Sequence, residues 1–357
     1  ALDQRGAAGL PEAQRSVTLL HGQKLSELIA MNGAVKAALQ MWLTQWRPNL
    51  VDAWINYQYL RHEMWPAYKE ADLPEAILFG IMAKESGGKV HAVSRSGAAG
   101  PLQFMYATGM RFGLTSDNGF DQRFDPAQAA RANAAYINEQ LGVFNDNLEL
   151  AIAAYNGGEG AMQRLAQHHP DEGFWNPKIY FAVSPETRDY VPMVLAAAWL
   201  FLHPERYNLQ FPKLDTTPAQ IVLQQPASLD ELTVCLGQDG NADGWFRTLR
   251  NLNPAYDPRQ QLDAGTRLQV VAPVAADYAK LCTSGKWVEL AADLHAAAEP
   301  VAPARRLYVV RRGDTLGAIA RKHGCSSGDL ARLNHLRPPH YLLRIGQDLR
   351  VSGCRRE

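Results

Sequence analysis

Apolar residues recur at helical spacing through the first part of the chain. Leu19, Leu20, Leu25, Leu28 and Ile29 form one stripe, and Trp42, Trp46, Trp54, Leu60 and Trp65 extend the pattern, as expected of helices that bury one face. These tryptophans are expected to pack helices together rather than serve as platforms for a sugar. A denser apolar run, Ala76, Ile77, Leu78, Phe79, Ile81 and Met82, ends at Glu85. The sequence predicts a helix there, opened by Asp72 as N-cap with Pro74 in its first turn. Asp125-Pro126 predicts a helix running to about Phe144, and a second runs from Asn147 to Asn156, where Gly157-Gly158 stops it. Ser184-Pro185 begins a long buried helix carrying Tyr190, and this helical region ends near Phe211-Pro212. Residues 1 to 12 read as flexible.

Beyond residue 212 the period changes. Leu249-Arg250-Asn251-Leu252-Asn253 and Gly265-Thr266-Arg267-Leu268-Gln269-Val270 share their internal spacing with residues 330 to 334 and 346 to 351, each shifted by 81 positions. Such repetition points to two copies of one small unit, each read as strand, two short helices and strand. Where the second copy has Gly313-Asp314-Thr315-Leu316, the first is expected to have Gly237-Gln238-Asp239-Gly240-Asn241 and then Trp245. The expected divisions are a helical N-terminal region (1–71) packed on a helical core (72–212), a degenerate module (213–290), an Ala/Pro linker (291–305) that is semi-extended over Ala296 to Ala304, and a second module (306–357). Truncation after about Pro212 is expected to leave a folded core.

Composition narrows the class. A chain of 357 residues with 46% hydrophobic content can build two or three domains. No apolar run reaches the roughly 18 residues of a membrane span, and the run at 191–202 is interrupted by Pro192. The N-terminus lacks the apolar centre of a signal peptide, so the signal of an exported protein is expected to be removed or to lie outside this sequence. Membrane attachment, if present, falls to such a removed N-terminal segment. Net charge is zero, yet residues 301 to 357 hold twelve Arg or Lys against four acids, a balance suited to anionic polymers. Cys235 and Cys282 bracket the first repeat and Cys325 and Cys354 fall in the second. Four cysteines allow three connectivities; pairing 235–282 and 325–354 keeps each bridge inside one module, where it contributes roughly 2 to 4 kcal/mol. The rival reading is zinc, but no CxxC pair occurs, so no metal and no cofactor are expected. The cysteines indicate an oxidising compartment, the periplasm or cell envelope.

The chemistry centres on Glu85. A Glu that closes a helix is most often a solvated surface residue, so context decides. Delivered after an apolar stretch, the carboxyl is set for a raised pKa and general-acid work. From Ser86 to Ser116 there is no Asp or Glu; the stretch is rich in glycine and neutral hydrogen-bonding groups. One acid beside neutral ligands suits a neutral polymer such as a glycan.

Four motifs occur in order: Glu85-Ser86, Gly100-Pro101-Leu102-Gln103-Phe104-Met105, Ala153-Ala154-Tyr155-Asn156-Gly157-Gly158, and Phe174-Trp175 followed by Ser184-Pro185-Glu186-Thr187-Arg188-Asp189-Tyr190-Val191-Pro192. Their succession resembles the lytic murein transglycosylases with a goose-lysozyme-like fold, and the last looks like the membrane-bound lytic transglycosylase D branch. The resemblance covers roughly residues 72 to 211. Leu307-Tyr308-Val309-Val310-Arg311-Arg312-Gly313-Asp314-Thr315-Leu316, with Leu333-Asn334 and Ile345-Gly346-Gln347-Asp348-Leu349, resembles a LysM peptidoglycan-binding module. The implied fold class is mainly α, a lysozyme-like helical catalytic domain followed by two small α+β (βααβ) LysM-like modules.

The resemblance implies site residues. Glu85 is the acid; Ser94 and Ser96 match hydroxyl donors near the reacting sugar, Gln103 a glycan-contacting amide and Met105 an apolar wall. Tyr155 and Tyr190 match tyrosines flanking the carboxylate, and Asn156 closes the Ala-Tyr-Asn signature. Gly313, Asp314, Thr315, Leu316 and Asn334 are the glycan-binding candidates of the second module. The family usually has Leu where Pro101 stands, and proline removes a backbone donor. The implied partner is the peptidoglycan glycan strand, with no nucleic acid.

Glycosidic cleavage normally takes two carboxylates, and a second is not evident here. Without it, the muramic acetamido oxygen can stabilise the anomeric centre and the 6-hydroxyl can attack, with Glu85 as acid and then base. Two alternatives stay open: a goose-type lysozyme in which Asp117, Asp121 or Asp125 activates water, and a non-catalytic wall-binding scaffold.

Overall fold

The computed structural model describes residues 18–20, 23–116, 119–170, 172–298, 307–336 and 341–351; the segment 1–12 lies outside them. The described residues form two compact units, divided between Ala292 and Asp293.

In the first unit a hairpin, β1 (Thr18–Leu20) and β2 (Gln23–Lys24), precedes α1 (Leu25–Leu28), α2 (Gly33–Leu43), α3 (Arg47–Glu70) and α4 (Glu75–Glu85). Then come α5 (Tyr106–Arg111), α6 (Pro126–Val143), α7 (Leu148–Gly157), α8 (Glu159–His168), α9 (Pro177–Tyr180) and α10 (Pro185–Leu202). Three starts match their expected caps: Asp125, Asn147 and Ser184 accept from the backbone N–H of Gln128, Leu150 and Thr187, each satisfying an otherwise orphaned donor. The start of α4 differs. Its N-cap is Pro74, without a side-chain bond, while Asp72 sits in the preceding turn at φ 55°. Aspartate tolerates left-handed backbone, and the chain needs it to reverse between α3 and α4.

The hub is α10, apolar and buried from Tyr190 to Leu202 and packed against α2, α4 and α7. Gly80 permits the closest approach: a Cβ there would lie 2.5 Å from the carbonyl oxygen of Val194. Trp42 is fully buried and donates its indole N–H to Met193 O at 2.9 Å, and Trp54 stacks on Phe211 at 4.0 Å. The tryptophans are packing residues.

The start of α4 is fixed electrostatically. Glu75 is completely buried; it accepts from Tyr57 Oη at 2.9 Å and from Arg61 Nε and Nη2 at 2.5 and 3.0 Å.

The first repeat contains β3 (Pro218–Val222), α11 (Leu229–Leu236), α12 (Phe246–Leu252) and β4 (Arg267–Val271), followed by α13 (Ala272–Leu281) and α14 (Lys286–Ala298). Strands β3 and β4 pair antiparallel, Pro218 opposite Val271 and Val222 opposite Arg267. The second unit contains β5 (Leu307–Val309), α15 (Leu316–Lys322), α16 (Ser327–Leu333) and β6 (Asp348–Arg350), with β5 and β6 antiparallel. Both are βααβ. They share a strut: Asn253 donates to Leu249 O and Gln269 O and accepts from Gln269 N–H, while Asn334 does the same with Leu330 O, Arg350 O and Arg350 N–H.

The structure changes one alignment. Gly265 N–H donates to Leu223 O as Gly346 N–H donates to Val310 O, and Ser228 caps α11 as Thr315 caps α15. The counterpart of Gly313-Asp314-Thr315-Leu316 is therefore Pro226-Ala227-Ser228-Leu229, not the stretch at Gly237. The offset is 87 before the first helix and 81 after it, so the first copy carries six extra residues between its helices. A single offset cannot register across an insertion. The boundary at 212/213 also changes character, because one hydrophobic core runs across it. Trp245 of the first repeat is buried and meets Tyr59 of α3 edge-on, with ring centroids 6.1 Å apart.

Cys235 and Cys282 are bridged. Cys325 is also disulfide-bonded; position 354, its expected partner, lies outside the described residues.

Arg61→Ala would leave the Glu75 carboxylate buried without its guanidinium, and should cost about 3 to 5 kcal/mol. Denaturant unfolding monitored at equilibrium checks this; a loss below about 1 kcal/mol would show that the pair does not anchor α4.

Candidate active site

Glu85 is the last residue of α4, the helix that packs against α10. Counting from the Gly80–Val194 approach, Glu85 lies five residues along α4 and Tyr190 four residues back along α10. In antiparallel helices rising about 1.5 Å per residue these offsets bring the two side chains level. Tyr190 Oη donates to Glu85 Oε1 at 2.6 Å. Burial is the largest influence on the Glu85 carboxyl, pushing it from an ordinary 4.5 to about 7; the Tyr190 hydrogen bond and the Lys84 charge oppose that, and the Glu186 charge adds to it. Glu85 thus holds a transferable proton near neutral pH.

Tyr155 comes from α7 and donates to Leu102 O at 2.6 Å. Burial and then the charge of Glu85 raise the phenol pKa values of both Tyr155 and Tyr190, so both remain neutral donors. Asn156 accepts from Thr187 Oγ1 at 2.9 Å and its amide lies 3.5 Å from Glu186 Oε1. It locks the end of α7 onto the start of α10.

The loop after α4 supplies the remaining predicted residues. Ser94 accepts from Ala98 N–H at 3.0 Å and its hydroxyl lies 3.0 Å from that of Ser96, which is exposed. Gln103, at φ 52°, spends its amide N–H groups on Ala92 O and Gly100 O at 2.9 and 2.8 Å. Met105 is 46% exposed, and Tyr106 beside it 54%. Pro101 suits its place: Gln103 N–H donates to Gly100 O, which puts proline at the second position of a turn where its fixed φ is favoured. Its carbonyl accepts from Ser86 Oγ at 2.6 Å.

Two residues beside the predicted ones escaped the sequence reading. Glu186 lies in the same quoted motif as Tyr190, four residues earlier on one helix face, and that spacing was the available signal. Arg123 donates to Gly97 O and Phe104 O at 2.9 and 3.1 Å and so ties the 97–104 stretch of the loop to the 121–124 segment. The carboxylates considered for water activation are otherwise engaged. Asp121 pairs with Arg123 at 2.7 Å; partial burial opposes it, yet the hydrogen bonds from Arg123 hold its carboxyl below the usual range. Asp125 caps α6, and position 117 lies outside the described residues.

In the second unit the predicted glycan-binding residues mostly shape a turn. Gly313 is exposed at φ 89°, Thr315 caps α15 and Leu316 is buried. Asp314 accepts from Arg311 N–H and Tyr308 Oη at 2.8 and 2.9 Å, bonds that hold its carboxyl below the usual range. Asn334 is the strut described above. Open to solvent beside this turn are Leu342 and Ile345, 80% and 71% exposed, on the loop whose Gly346 N–H reaches Val310 O.

The Transglycosylase SLT domain family matches residues 65–177, and the LysM domain family matches residues 308–352. The fold is therefore mainly α, with a lysozyme-like SLT domain and a LysM domain. Membrane-bound lytic murein transglycosylase D of Escherichia coli is 28% identical over 293 residues, 80% of this chain and 61% of that protein. Membrane-bound lytic murein transglycosylase C of Actinobacillus succinogenes is 29% identical over 121 residues, 30% of this chain and 34% of that protein. The uncharacterized lipoprotein YgeR of Escherichia coli is 47% identical over 49 residues, 14% of this chain and 19% of that protein. The chain thus spans about three fifths of the length of the transglycosylase D it matches.

Because the folded chain holds the Glu85 proton more tightly than the unfolded chain, stability falls as pH rises from about 4.5 to about 7. Glu85→Gln carries no such loss. Its melting temperature should exceed that of the parent by ~3 °C or more at pH 8 and differ little at pH 4; a gap that fails to widen between those values would remove the raised pKa.

Proposed function

We propose that this chain, homologous to membrane-bound lytic murein transglycosylase D and built with SLT and LysM domains, cleaves peptidoglycan without consuming water. The bond broken is the β-1,4 link between N-acetylmuramic acid and N-acetylglucosamine. The observation that carries this reading is the Glu85 carboxyl, raised to about 7 and held by Tyr190 at 2.6 Å, with Asp121 and Asp125 committed to a salt bridge and a helix cap.

Glu85 gives its proton to the glycosidic oxygen as the C1–O4 bond breaks, and the acetamido oxygen of the muramic unit stabilises the anomeric carbon. The Glu85 carboxylate then takes the proton of the muramic 6-hydroxyl, whose oxygen closes on C1 to form a 1,6-anhydro product. Protons and electron pairs balance, and one carboxyl serves both steps. Tyr190 steadies the carboxylate that forms between them. The Cys235–Cys282 bridge supports a place in the periplasm or cell envelope.

Glu186 favours a second reading, since its charge reaches Glu85: it could activate water and make the enzyme a lysozyme-like hydrolase. Reaction with purified peptidoglycan in ¹⁸O-labelled water separates the two. Unlabelled 1,6-anhydro muropeptides are expected, with activity falling at least about a thousandfold in Glu85→Gln and far less in Glu186→Gln. Labelled reducing-end products that vanish in Glu186→Gln would establish hydrolysis instead.

The LysM domain holds the wall through the turn at 311–316 and the adjacent exposed loop. Leu342→Ser with Ile345→Ser should lower pull-down by insoluble peptidoglycan severalfold while cleavage of short soluble fragments persists, because tethering raises local concentration without entering the transition state. Unchanged pull-down would move the contact elsewhere.

A further inference from the structure

The loop leaving Glu85 closes on itself through Lys89 N–H to Ser86 O and Ala92 N–H to Lys89 O, but Gly87 O, Gly88 O and Val90 N–H are met by side chains from other elements. Gly87 and Gly88 both lie in left-handed conformation, at φ 62° and 75°, and the helical ladder ends as Ser86 and Gly87 N–H share Met82 O. The side-chain support comes from two sides. From α3, Asn56 Nδ2 donates to Gly87 O at 2.7 Å, and a Cβ on Gly88 would sit 2.5 Å from the Asn56 Cβ. From α12 of the first repeat, Asn251 Nδ2 donates to Gly88 O at 2.8 Å, and Asn251 Oδ1 accepts from Val90 N–H at 3.2 Å. Asn251 is 1% exposed. The His91 ring adds a contact to Pro254 O at 3.0 Å.

The comparison between copies shows that the repeat itself does not need this asparagine. The internal strut is Asn253, matched by Asn334. At the same offset of 81, Asn251 corresponds to Arg332, whose side chain is 80% exposed and pairs with Asp329. An asparagine buried against another part of the chain belongs to the interface, not to the βααβ fold. The first copy has meanwhile replaced Gly313-Asp314 by Pro226-Ala227, losing the left-handed glycine and the carboxylate that shape the turn of the second.

We propose that the first repeat has become a positioning module for the reaction centre, with Asn251 as the positioning residue that fixes residues 87–90 and through them the Glu85 carboxyl. The coupling is short. Ser86 Oγ accepts from Gly88 N–H at 3.0 Å and donates to Pro101 O, so one loop carries Asn251's hold to both the acid and the Gly100–Gln103 turn. This inference rests on Glu85 acting as the acid.

The test uses the full chain with Asn251→Ala, Asn251→Asp and, as a probe of the repeat alone, Asn253→Ala. With soluble peptidoglycan fragments, Asn251→Ala should lower kcat about tenfold or more, since small misplacement of reacting groups is costly, with KM within about twofold. The Glu85 titration, followed directly by carbon NMR on the free protein, should move down from about 7 as water reaches the carboxyl; Lys84, Glu186, Tyr155 and Tyr190, the groups that face it, are unchanged. Asn251→Asp keeps the acceptor for Val90 N–H but loses the donor to Gly88 O, and should show the same changes if Asn251→Ala does not fold. Asn253→Ala should lower the melting temperature yet leave kcat and the Glu85 midpoint in place. Parental kcat and midpoint in the Asn251 variants, or equal shifts in Asn253→Ala, would overturn the proposal. A parent chain that releases no muropeptides would sink the functional reading instead, while the NMR midpoint would still judge Asn251.

Discussion

The close crossing of α4 and α10 is the constraint on which the rest of the structure depends. Gly80 lets a backbone carbonyl of α10 approach to within 2.5 Å of where any side chain would begin. That contact sets the distance between two helices whose ends carry Glu85 and Tyr190. Any side chain at position 80 would force a shift at this contact, and the 2.6 Å hydrogen bond depends on the same two helices. Buried packing and proton chemistry are thus one geometric fact. The Glu75–Arg61 pair fixes the far end of α4 against α3, so the helix is held at its start by charge, at its middle by close packing and at its end by the tyrosine.

Much of this was legible in the sequence because the decisive signals were local. Asp125, Asn147 and Ser184 announced their helices through capping chemistry that needs only three or four residues. Glu85, Tyr155 and Tyr190 were found through ordered motifs, and the structure brings Tyr190 onto Glu85 while placing Tyr155 close enough for its phenol to feel that charge. The tryptophans obeyed the apolar period and are packing residues. The repeat was legible where its backbone bonds recur, at Asn253 and Asn334, because the same strut demands the same residue.

What the sequence did not reveal involves contacts between distant segments or conformations that several residue types tolerate. Asp72 has the chemistry of a cap but lies in a reversing turn, and which of the two it serves depends on the angle between α3 and α4. Glu186 sits in a recognised motif, yet its influence on Glu85 exists only once α10 lies against α4. Gln103 is marked by its motif, but the bonds from its N–H groups to Ala92 O and Gly100 O exist only once the loop has closed on itself. Asn251 reads as one polar residue in a degenerate helix, and nothing nearby says that its partners lie 161 and 163 positions away. The six-residue insertion hid the true counterpart of the Gly-Asp-Thr-Leu turn for a related reason: its register is kept by strand pairing, not by spacing.

Gly100 bears on how such a cleft can be redesigned. It combines φ 89° with a Cβ position 1.7 Å from Arg123 O, so no other residue fits unless the 121–124 segment gives way. Substitutions therefore have little room at the base of the loop, where Gly100, Gln103 and Arg123 interlock. The evolvable surface is its rim, at Val93, Arg95, Ser96, Met105 and Tyr106, all exposed. A mutational library confined to those five positions would vary the exposed surface while leaving the scaffold beneath it intact.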